Sequence, residues 1–281
     1  MALQGKNVAY VGGFGGIGYA CCKELIERGI QKLVILDVKD NTEKRQQLLS
    51  LNANLKYVSF VPLNLCDGKA AIEKALQETA TLLNPIDILI NGAGILNDQK
   101  PRQTVDINLM APIETTLAAI PLMRRDKVWG GKSSGGGGLI VNVASVLGLE
   151  PAAFAAVYTA TKYGVIGFTR ACHDHYYKTT GISHMAICPG PTGTELLRGC
   201  VGVGTFDFSL PLSEEFHAAM RQTAEECAKP MADAIENGKN GSICIVDLGQ
   251  MGEWAKMWPT WVDMAASVML VAKNWSKKEY G

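Results

Sequence analysis

The chain has 281 residues, 47% of them hydrophobic, which is enough to bury one large core or two small ones. Lysine and arginine together number 27, as do aspartate and glutamate, so the basic excess of a nucleic-acid-binding protein is missing and a small-molecule partner is favoured. The eight cysteines are scattered without Cys-x-x-Cys spacing, which indicates reduced core thiols.

The N-terminus lacks the pattern of a targeting segment. Residues 1–7 contain no charged stretch followed by an apolar one of signal-peptide length. The longest late apolar run, residues 264–272, is too short to span a bilayer. We therefore expect a cytoplasmic protein with no membrane partner.

Strand-like and helix-like segments alternate along most of the chain. Predicted strands cover residues 7–12, 32–37, 55–61, 86–91, 139–144, 183–188 and 242–247. Predicted helices cover residues 17–28, 69–83, 104–125, 154–180 and 213–237, with disruption expected at Pro112 and Pro121. Largely apolar strands between helices predict an α/β fold of the Rossmann type. It is a single domain with a doubly wound, mainly parallel seven-stranded sheet that carries helices on both faces.

A glycine-rich turn follows the first predicted strand. Residues 12–18 read Gly-Gly-Phe-Gly-Gly-Ile-Gly, and such a turn lets the backbone approach a pyrophosphate at a helix N-terminus. Asp37 ends the next strand nineteen residues after Gly18, where a carboxylate accepts hydrogen bonds from the adenosine ribose and repels a 2′-phosphate. We predict NAD as the cofactor in preference to NADP, with Lys39 as the residue that argues for NADP.

Tyr158 and Lys162 form a second candidate pair. They lie four residues apart in an alanine-rich segment that favours helix, so their side chains share one face. A phenol with its usual pKa of about 10 is a poor base at neutral pH, but a neighbouring ammonium lowers the pKa. Ser145 follows the predicted strand 139–144, where its hydroxyl can hold a substrate oxygen beside the phenol. The pair alone also fits an ordinary surface helix.

Together these motifs resemble the short-chain dehydrogenase/reductase family, over residues 6–247. In motif the sequence is most similar to the insect-type alcohol dehydrogenases, and it also resembles NAD-dependent 15-hydroxyprostaglandin dehydrogenase. The positions that match in order and spacing are Gly12, Gly16, Ile17, Gly18, Asn91, Gly92, Ala93, Gly94, Asn108, Ser145, Tyr158, Lys162, Pro189 and Gly190.

The resemblance implies a catalytic role for four residues. Tyr158 would be the general base, and Lys162 would lower its pKa and bind the nicotinamide ribose. Ser145 would orient the substrate oxygen, and Asn108 would hold a water that links Lys162 to solvent. Hydride would pass between the substrate carbon and nicotinamide C4, and no metal is needed.

The resemblance also implies the cofactor contacts. The family commonly has an aspartate after the third strand that contacts adenine, whereas this chain has Asn64 and Leu65, and an amide still bonds adenine. The implied cofactor-binding residues are Gly12, Gly13, Phe14, Gly16, Ile17, Gly18, Asp37, Asn64, Leu65, Asn91, Gly92, Ala93, Tyr158, Lys162, Pro189, Gly190, Thr192 and Thr194.

Substrate specificity is assigned to the later part of the chain. By resemblance, a substrate loop covers about residues 192–215 of a catalytic domain that spans residues 1–250, and a tail at 251–281 covers the site or a subunit interface. Apolar side chains in this region predict an apolar alcohol or carbonyl substrate, secondary, long-chain or terpenoid. A homodimer, or else a tetramer, is expected. The expected substrate contacts are Ser145, Tyr158, Leu196, Leu197, Phe206 and Trp254.

Two alternatives stay open. One is an NADPH-dependent carbonyl reductase with the same site. The other is a protein that binds a dinucleotide without catalysis. The presence of Ser145, Asn108, Tyr158 and Lys162 together favours an enzyme, because a protein that only binds the cofactor has no chemical need for all four.

Overall fold

A computed structural model describes residues 2–124, 128–129, 132–133, 137–198 and 222–253. Within these ranges the strands are β1 (Asn7–Val11), β2 (Lys32–Asp37), β3 (Tyr57–Pro62), β4 (Ile88–Asn91), β5 (Val128–Trp129), β6 (Lys132–Ser133), β7 (Gly138–Val143), β8 (Ile182–Pro189), β9 (Ile243–Asp247) and β10 (Gln250–Glu253). The α-helices are α1 (Gly16–Glu27), α2 (Thr42–Leu49), α3 (Lys69–Leu83), α4 (Pro101–Val105), α5 (Ala111–Met123), α6 (Ala156–Thr180), α7 (Glu195–Arg198) and α8 (Ala224–Asn237). None of these helices has both the length and the apolar character needed to cross a membrane.

Eight of the described strands form one sheet, in the order β10-β9-β8-β7-β4-β1-β2-β3. Seven neighbouring strands run parallel, and β1 is paired with β2 on one side and with β4 on the other. The chain therefore winds outward in both directions from β1. In such sheets a crevice opens at the carboxyl ends of the strands where the direction of winding reverses. The Rossmann-type α/β fold predicted from the sequence is confirmed.

The predicted number of seven strands was one too low. Gln250–Glu253 forms β10, which pairs antiparallel with β9 at the edge of the sheet. The two strands are joined by Leu248 and Gly249, whose φ angles of 49° and 71° belong to the tight hairpin turn that has positive φ at both central positions. The sequence signal was weak because such turns usually read Asn-Gly or Asp-Gly, and here a leucine takes the first position.

The predicted helix over residues 104–125 is three consecutive segments. An α-helix at Pro101–Val105 passes into a π-helical turn at Asp106–Met110 and then into α5. Pro112 is the second residue of α5, directly after the π-helical turn, and it has no N–H to donate to the carbonyl groups of that turn. Helix α2 was not predicted, because it is mostly polar and buries only Leu48.

Helices cover both faces of the sheet. On one face α1 and α8 pack against the strands through Leu25, Ile26, Met231 and Ile235. On the other face α3 and α5 pack against the strands through Ile72, Leu76, Leu83, Ala119 and Leu122. A third cluster packs α6 against β8 and β9 through Val165, Ile166, Ala186, Cys188 and Ile243. Burying each such leucine or isoleucine stabilises the fold by about 1.5–3 kcal/mol.

Candidate active site

The glycine-rich turn brings two loops of the crevice into close contact. Gly12 has a φ of 82°, and a Cβ atom there would lie 2.7 Å from the backbone of Ala93. A Cβ on Gly18 would lie 2.4 Å from the Gly12 carbonyl oxygen. Helix α1 starts beside this turn with Gly15 at its N-cap and with neither a side-chain cap nor an acidic residue in its first turn. The first backbone N–H groups of α1 are thus available to an anion such as a pyrophosphate.

Asp37 lies at the carboxyl end of β2, next to this turn. Its Oδ2 atom accepts a hydrogen bond from the Phe14 N–H at 3.1 Å, and its Oδ1 atom accepts one from the Val38 N–H at 2.8 Å. Each carboxylate oxygen has a second lone pair, so both can still accept from a ribose hydroxyl. Asp37 therefore shapes the turn in addition to facing the cavity.

Lys44, on α2, was not predicted to belong to the site. Its Nζ atom donates to the carbonyl oxygen of Phe14 at 2.8 Å and lies 4.8 Å from the centroid of the Tyr19 ring. The peptide groups on both sides of Phe14 are consequently held, one by Asp37 and the other by Lys44. A lysine in an exposed, polar helix carries no sequence signal that would have identified this contact.

A cavity of about 770 Å³ joins the glycine-rich turn to the predicted catalytic residues. Of the predicted cofactor-binding residues, Gly13 and Asn91 do not line it. Gly13 faces the side chains of Ile35 and Cys22 in the core. Asn91 donates to Asn142 at 2.8 Å and accepts from Thr115 at 2.8 Å, which ties β4 to β7 and α5. The predicted residues that do line the cavity are Gly12, Phe14, Gly16, Ile17, Gly18, Asp37, Asn64, Leu65, Gly92, Ala93, Ser145, Tyr158, Lys162, Pro189, Gly190, Thr192, Thr194, Leu196 and Leu197.

Lys162 and Tyr158 share one face of α6, as the sequence predicted. The Lys162 Nζ atom donates to the Val143 carbonyl oxygen at 3.0 Å and lies 5.3 Å from the centroid of the Tyr158 ring. Tyr158 is 8% exposed and Lys162 is 3% exposed. Burial disfavours the ammonium and lowers the pKa of Lys162 to about 8.

Ser145 is held beside this pair by the turn that follows β7. Its Oγ atom accepts a hydrogen bond from the Leu147 N–H at 3.1 Å, which fixes the side chain at the start of a 3₁₀ turn. That bond does not use the hydroxyl hydrogen. Ser145 and Tyr158 both line the cavity.

Asn108 lies in the π-helical turn and is fully buried. Its Oδ1 atom accepts from the Ile95 N–H at 2.8 Å, and its Nδ2 atom donates to the Ile95 carbonyl oxygen at 2.7 Å. A Cβ on Gly94 would lie 3.4 Å from Asn108 Oδ1 and 3.6 Å from Lys162 Nζ, so the amide and the ammonium lie close to the same glycine. The Asn108 side chain is therefore engaged in holding the loop after β4.

The remaining predicted contacts differ in how much of their bonding capacity is already used. Thr192 Oγ1 donates to the Gly190 carbonyl oxygen and accepts from Gln222 Nε2, both at 2.9 Å, so its proton is committed within the protein. Asn64 caps the 3₁₀ turn Leu65–Asp67 by accepting from the Cys66 N–H at 3.1 Å. Phe206 and Trp254, predicted as substrate contacts, lie outside the described residues.

Comparison with known proteins shows the family of this chain. A family model described as short chain dehydrogenase matches residues 6–200, and the chain belongs to that family. "Alcohol dehydrogenase 1" of Ceratitis cosyra is 42% identical over 252 residues, with 89% of this chain and 95% of that protein covered. The chain is accordingly an oxidoreductase with insect alcohol dehydrogenases among its relatives, and the family binds a nicotinamide dinucleotide. "Fat body protein 2" of Drosophila melanogaster is 38% identical over 250 residues, covering 89% of this chain and 94% of that protein.

Solved structures show the same fold at low sequence identity. Levodione reductase superposes with a TM-score of 0.72 at 22% identity, covering 88% of this chain and 98% of that one. A 3-ketoacyl-(acyl-carrier-protein) reductase from Brucella melitensis, complexed with NADH, has a TM-score of 0.68 at 21% identity, covering 88% and 98% of the two chains.

Proposed function

We propose that this protein is an NAD-dependent dehydrogenase that interconverts an apolar alcohol and its carbonyl, with Tyr158 as the general base. The observation that carries the proposal is the arrangement at one end of the cavity. Ser145, Tyr158 and Lys162 line the same space, and the ammonium is held 5.3 Å from the phenol ring centroid.

The chain's own groups are suited to the proton transfers of this reaction. In oxidation Tyr158 receives the hydroxyl proton of the alcohol, and in reduction it returns a proton to the carbonyl oxygen. The Lys162 ammonium stabilises the phenolate, and the Ser145 hydroxyl donates to the substrate oxygen as its charge develops. When bound, the nicotinamide dinucleotide supplies the acceptor or donor of the hydride at C4.

The residues around the cofactor path fit a dinucleotide. The turn packs closely at Gly12, Gly16 and Gly18, where an added Cβ would meet neighbouring protein atoms at 3 Å or less. The absence of side chains there lets the backbone N–H groups at the start of α1 approach a pyrophosphate. Asp37 supports NAD over NADP, because its carboxylate is held in place by two backbone N–H groups and a 2′-phosphate would be brought against it.

An apolar substrate is supported by the walls near Ser145 and Tyr158. Glu195 and the proposed catalytic residues contribute polar groups to the cavity. The residues that contribute hydrocarbon surface include Ile95, Leu96, Val146, Leu147, Phe154, Leu196 and Leu197. Such a wall favours an aliphatic or terpenoid alcohol over a sugar. Phe206 and Trp254, and the tail that contains Trp254, remain proposed contributors to the substrate region.

Turnover tests the proposal. Purified protein with NAD and a panel of primary, secondary, long-chain and terpenoid alcohols should produce the absorbance of reduced cofactor with at least one secondary or long-chain alcohol. Tight NAD binding without turnover on any alcohol, or on the matching carbonyls with NADH, would instead support the non-catalytic dinucleotide-binding protein.

The cofactor preference has its own test. In the wild type NAD should bind more tightly than NADP, and Asp37→Asn should reduce that ratio by about tenfold or more, since removal of the charge relieves repulsion of the 2′-phosphate. Asp174→Asn, which removes an exposed carboxylate on α6, is the matched control. Tighter binding of NADP than of NAD in the wild type, with a ratio that Asp37→Asn leaves unchanged, would favour the NADPH-dependent carbonyl reductase.

A further inference from the structure

Helix α6 carries Tyr158 in its first turn, yet its own N-cap residue does not cap it. Tyr158 is the third residue of the helix, and Ala155 occupies the N-cap without a side-chain hydrogen bond. The second and third N–H groups of a helix have no partner within the helix and are usually satisfied by an N-cap serine, threonine, aspartate or asparagine. In α6 these groups belong to Val157 and Tyr158 itself.

Asp98 supplies the missing acceptor from a distant part of the chain. Its Oδ2 atom accepts from the Val157 N–H at 2.7 Å, and its Oδ1 atom accepts from the Tyr158 N–H at 3.0 Å. The residue is 8% exposed, so water competes little for these bonds. A carboxylate at a helix N-terminus also interacts favourably with the helix dipole, which makes these bonds stronger than those to a neutral acceptor.

The loop that presents Asp98 also forms a wall of the cofactor cavity. We refer to residues 92–100, between β4 and α4, as the β4–α4 loop. Its residues 92–96 line the cavity. Asn108 holds both polar backbone groups of Ile95, and the Thr104 hydroxyl donates to the Asn97 carbonyl oxygen at 2.7 Å. These hydrogen bonds join the cavity wall and the backbone next to Asp98 into one unit, so the position of the wall sets the position of Asp98.

We propose that Asp98 is a positioning residue that couples the β4–α4 loop, and hence cofactor occupancy of the cavity, to the backbone position of Tyr158. The inference rests on the proposed function for its effect on turnover. The phenol reaches the substrate from the first turn of α6, so the placement of that turn sets the distance over which the proton moves. Asp98 does not line the cavity, and it acts on the reaction through the first turn of α6.

Two substitutions at Asp98 remove its hydrogen bonds to α6, one in part and the other completely. Asp98→Asn keeps the size and one acceptor oxygen, and Asp98→Ala removes both. Because displacements of about 1 Å in a catalytic group can cost on the order of 100-fold, we expect kcat to fall by about tenfold in Asp98→Asn and by more in Asp98→Ala. NAD affinity should change by less than about threefold, since the cofactor contacts stay in place. Asp174→Asn, an exposed carboxylate farther along α6, should leave kcat and NAD affinity unchanged.

A readout independent of turnover separates coupling from simple helix capping. In the wild type, NAD should slow amide hydrogen exchange in the peptide that covers residues 157–161, as well as in the β4–α4 loop. In Asp98→Asn the loop should still respond to NAD while residues 157–161 respond much less. If residues 157–161 gain the same protection from NAD in Asp98→Asn as in the wild type, or if kcat is unchanged in both variants of an active enzyme, the coupling is wrong. A wild type that binds NAD without turnover would contradict the proposed function, and the exchange measurement would still decide the role of Asp98.

Discussion

The Lys162 ammonium lies 5.3 Å from the centroid of the Tyr158 ring and is anchored to the carbonyl oxygen of Val143. Val143 is the last residue of β7, so the sheet fixes the position of the carbonyl oxygen that holds the ammonium near the phenol. Because burial lowers the pKa of Lys162 to about 8, the charge that favours the phenolate is present only up to mildly alkaline pH.

Removal of this ammonium should move the pH dependence of the reaction. In the wild type the ammonium favours the phenolate, so we expect kcat/KM for alcohol oxidation to rise at a lower pH than an isolated phenol would require. In Lys162→Met the phenol titrates without its partner, so the rise should shift upward to about pH 10 or beyond. Profiles between pH 6 and pH 10.5 measure this. Identical profiles for the two proteins would contradict the role of Lys162.

The stability of this variant provides a control. The folded-state pKa of Lys162 lies below its ordinary value, so the buried ammonium lowers the free energy of unfolding at neutral pH and that cost is relieved as pH rises above about 8. Lys162→Met should therefore unfold at the same temperature as the wild type or a higher one at pH 7. A drop in activity with retained stability then reflects chemistry.

Loss of the phenol hydroxyl should remove turnover without removing cofactor binding. We expect Tyr158→Phe to lower kcat by about 10²–10⁴-fold, the usual contribution of a general base, with NAD affinity within about threefold of the wild type. Tyr177→Phe makes the same change at an exposed tyrosine of the same helix and should leave kcat unchanged. Steady-state kinetics and NAD titration of the three proteins provide the comparison, in which substantial activity of Tyr158→Phe would exclude it as the base.

Two glycine substitutions should change the stability of the fold in opposite directions. Gly12→Ala places a methyl group 2.7 Å from the Ala93 backbone at a φ of 82°, so we expect lower thermal stability and at least about tenfold weaker NAD binding. Gly167→Ala adds a methyl group within α6 where, apart from the helix's own backbone and the adjacent residues, no described atom lies within 4 Å, and it should raise the free energy of unfolding by about 0.5–1 kcal/mol. Thermal unfolding and NAD titration test both, and a Gly12→Ala protein that binds NAD normally would contradict the close approach of the two loops.

A buried histidine should make the fold sensitive to acid. His184 is fully buried in β8, and neither ring nitrogen has a hydrogen-bond partner among the described residues. Burial, with a smaller contribution from His173, lowers its pKa from 6.5 to about 4. The unfolded chain takes up a proton below about pH 6.5 while the folded protein does not. Stability should therefore fall with pH in this window, by about 2 kcal/mol between pH 7 and pH 5.

His184→Phe should remove that part of the pH dependence. Urea unfolding at pH 7 and pH 5 should show a smaller decrease in the variant than in the wild type. His175→Phe, at an exposed histidine of α6, serves as the matched control. The same decrease in all three proteins would mean that other groups cause the acid sensitivity.

The sequence by itself determined the α/β class, the family and the residue types of the site. Apolar strands alternating with helices require a sheet covered on both faces, and the glycine-rich turn, Asp37, Ser145, Tyr158 and Lys162 are recognisable because their spacing along the chain is local. The pairing of Tyr158 with Lys162 follows from helical geometry alone, which is why the sequence placed both on one face of α6.

Only the tertiary structure decided which groups touch across long separations in sequence. The acceptor for the Tyr158 N–H is Asp98, sixty residues earlier, and the carbonyl that binds Lys162 belongs to Val143. Lys44 reaches Phe14 from another helix, Asn91 turns toward Asn142, and β10 adds an eighth strand. No local periodicity encodes such contacts, because they arise when sheet order and helix packing bring separate segments together. The hydrogen bonds that hold Tyr158, the proposed general base, in place are therefore a property of the folded chain.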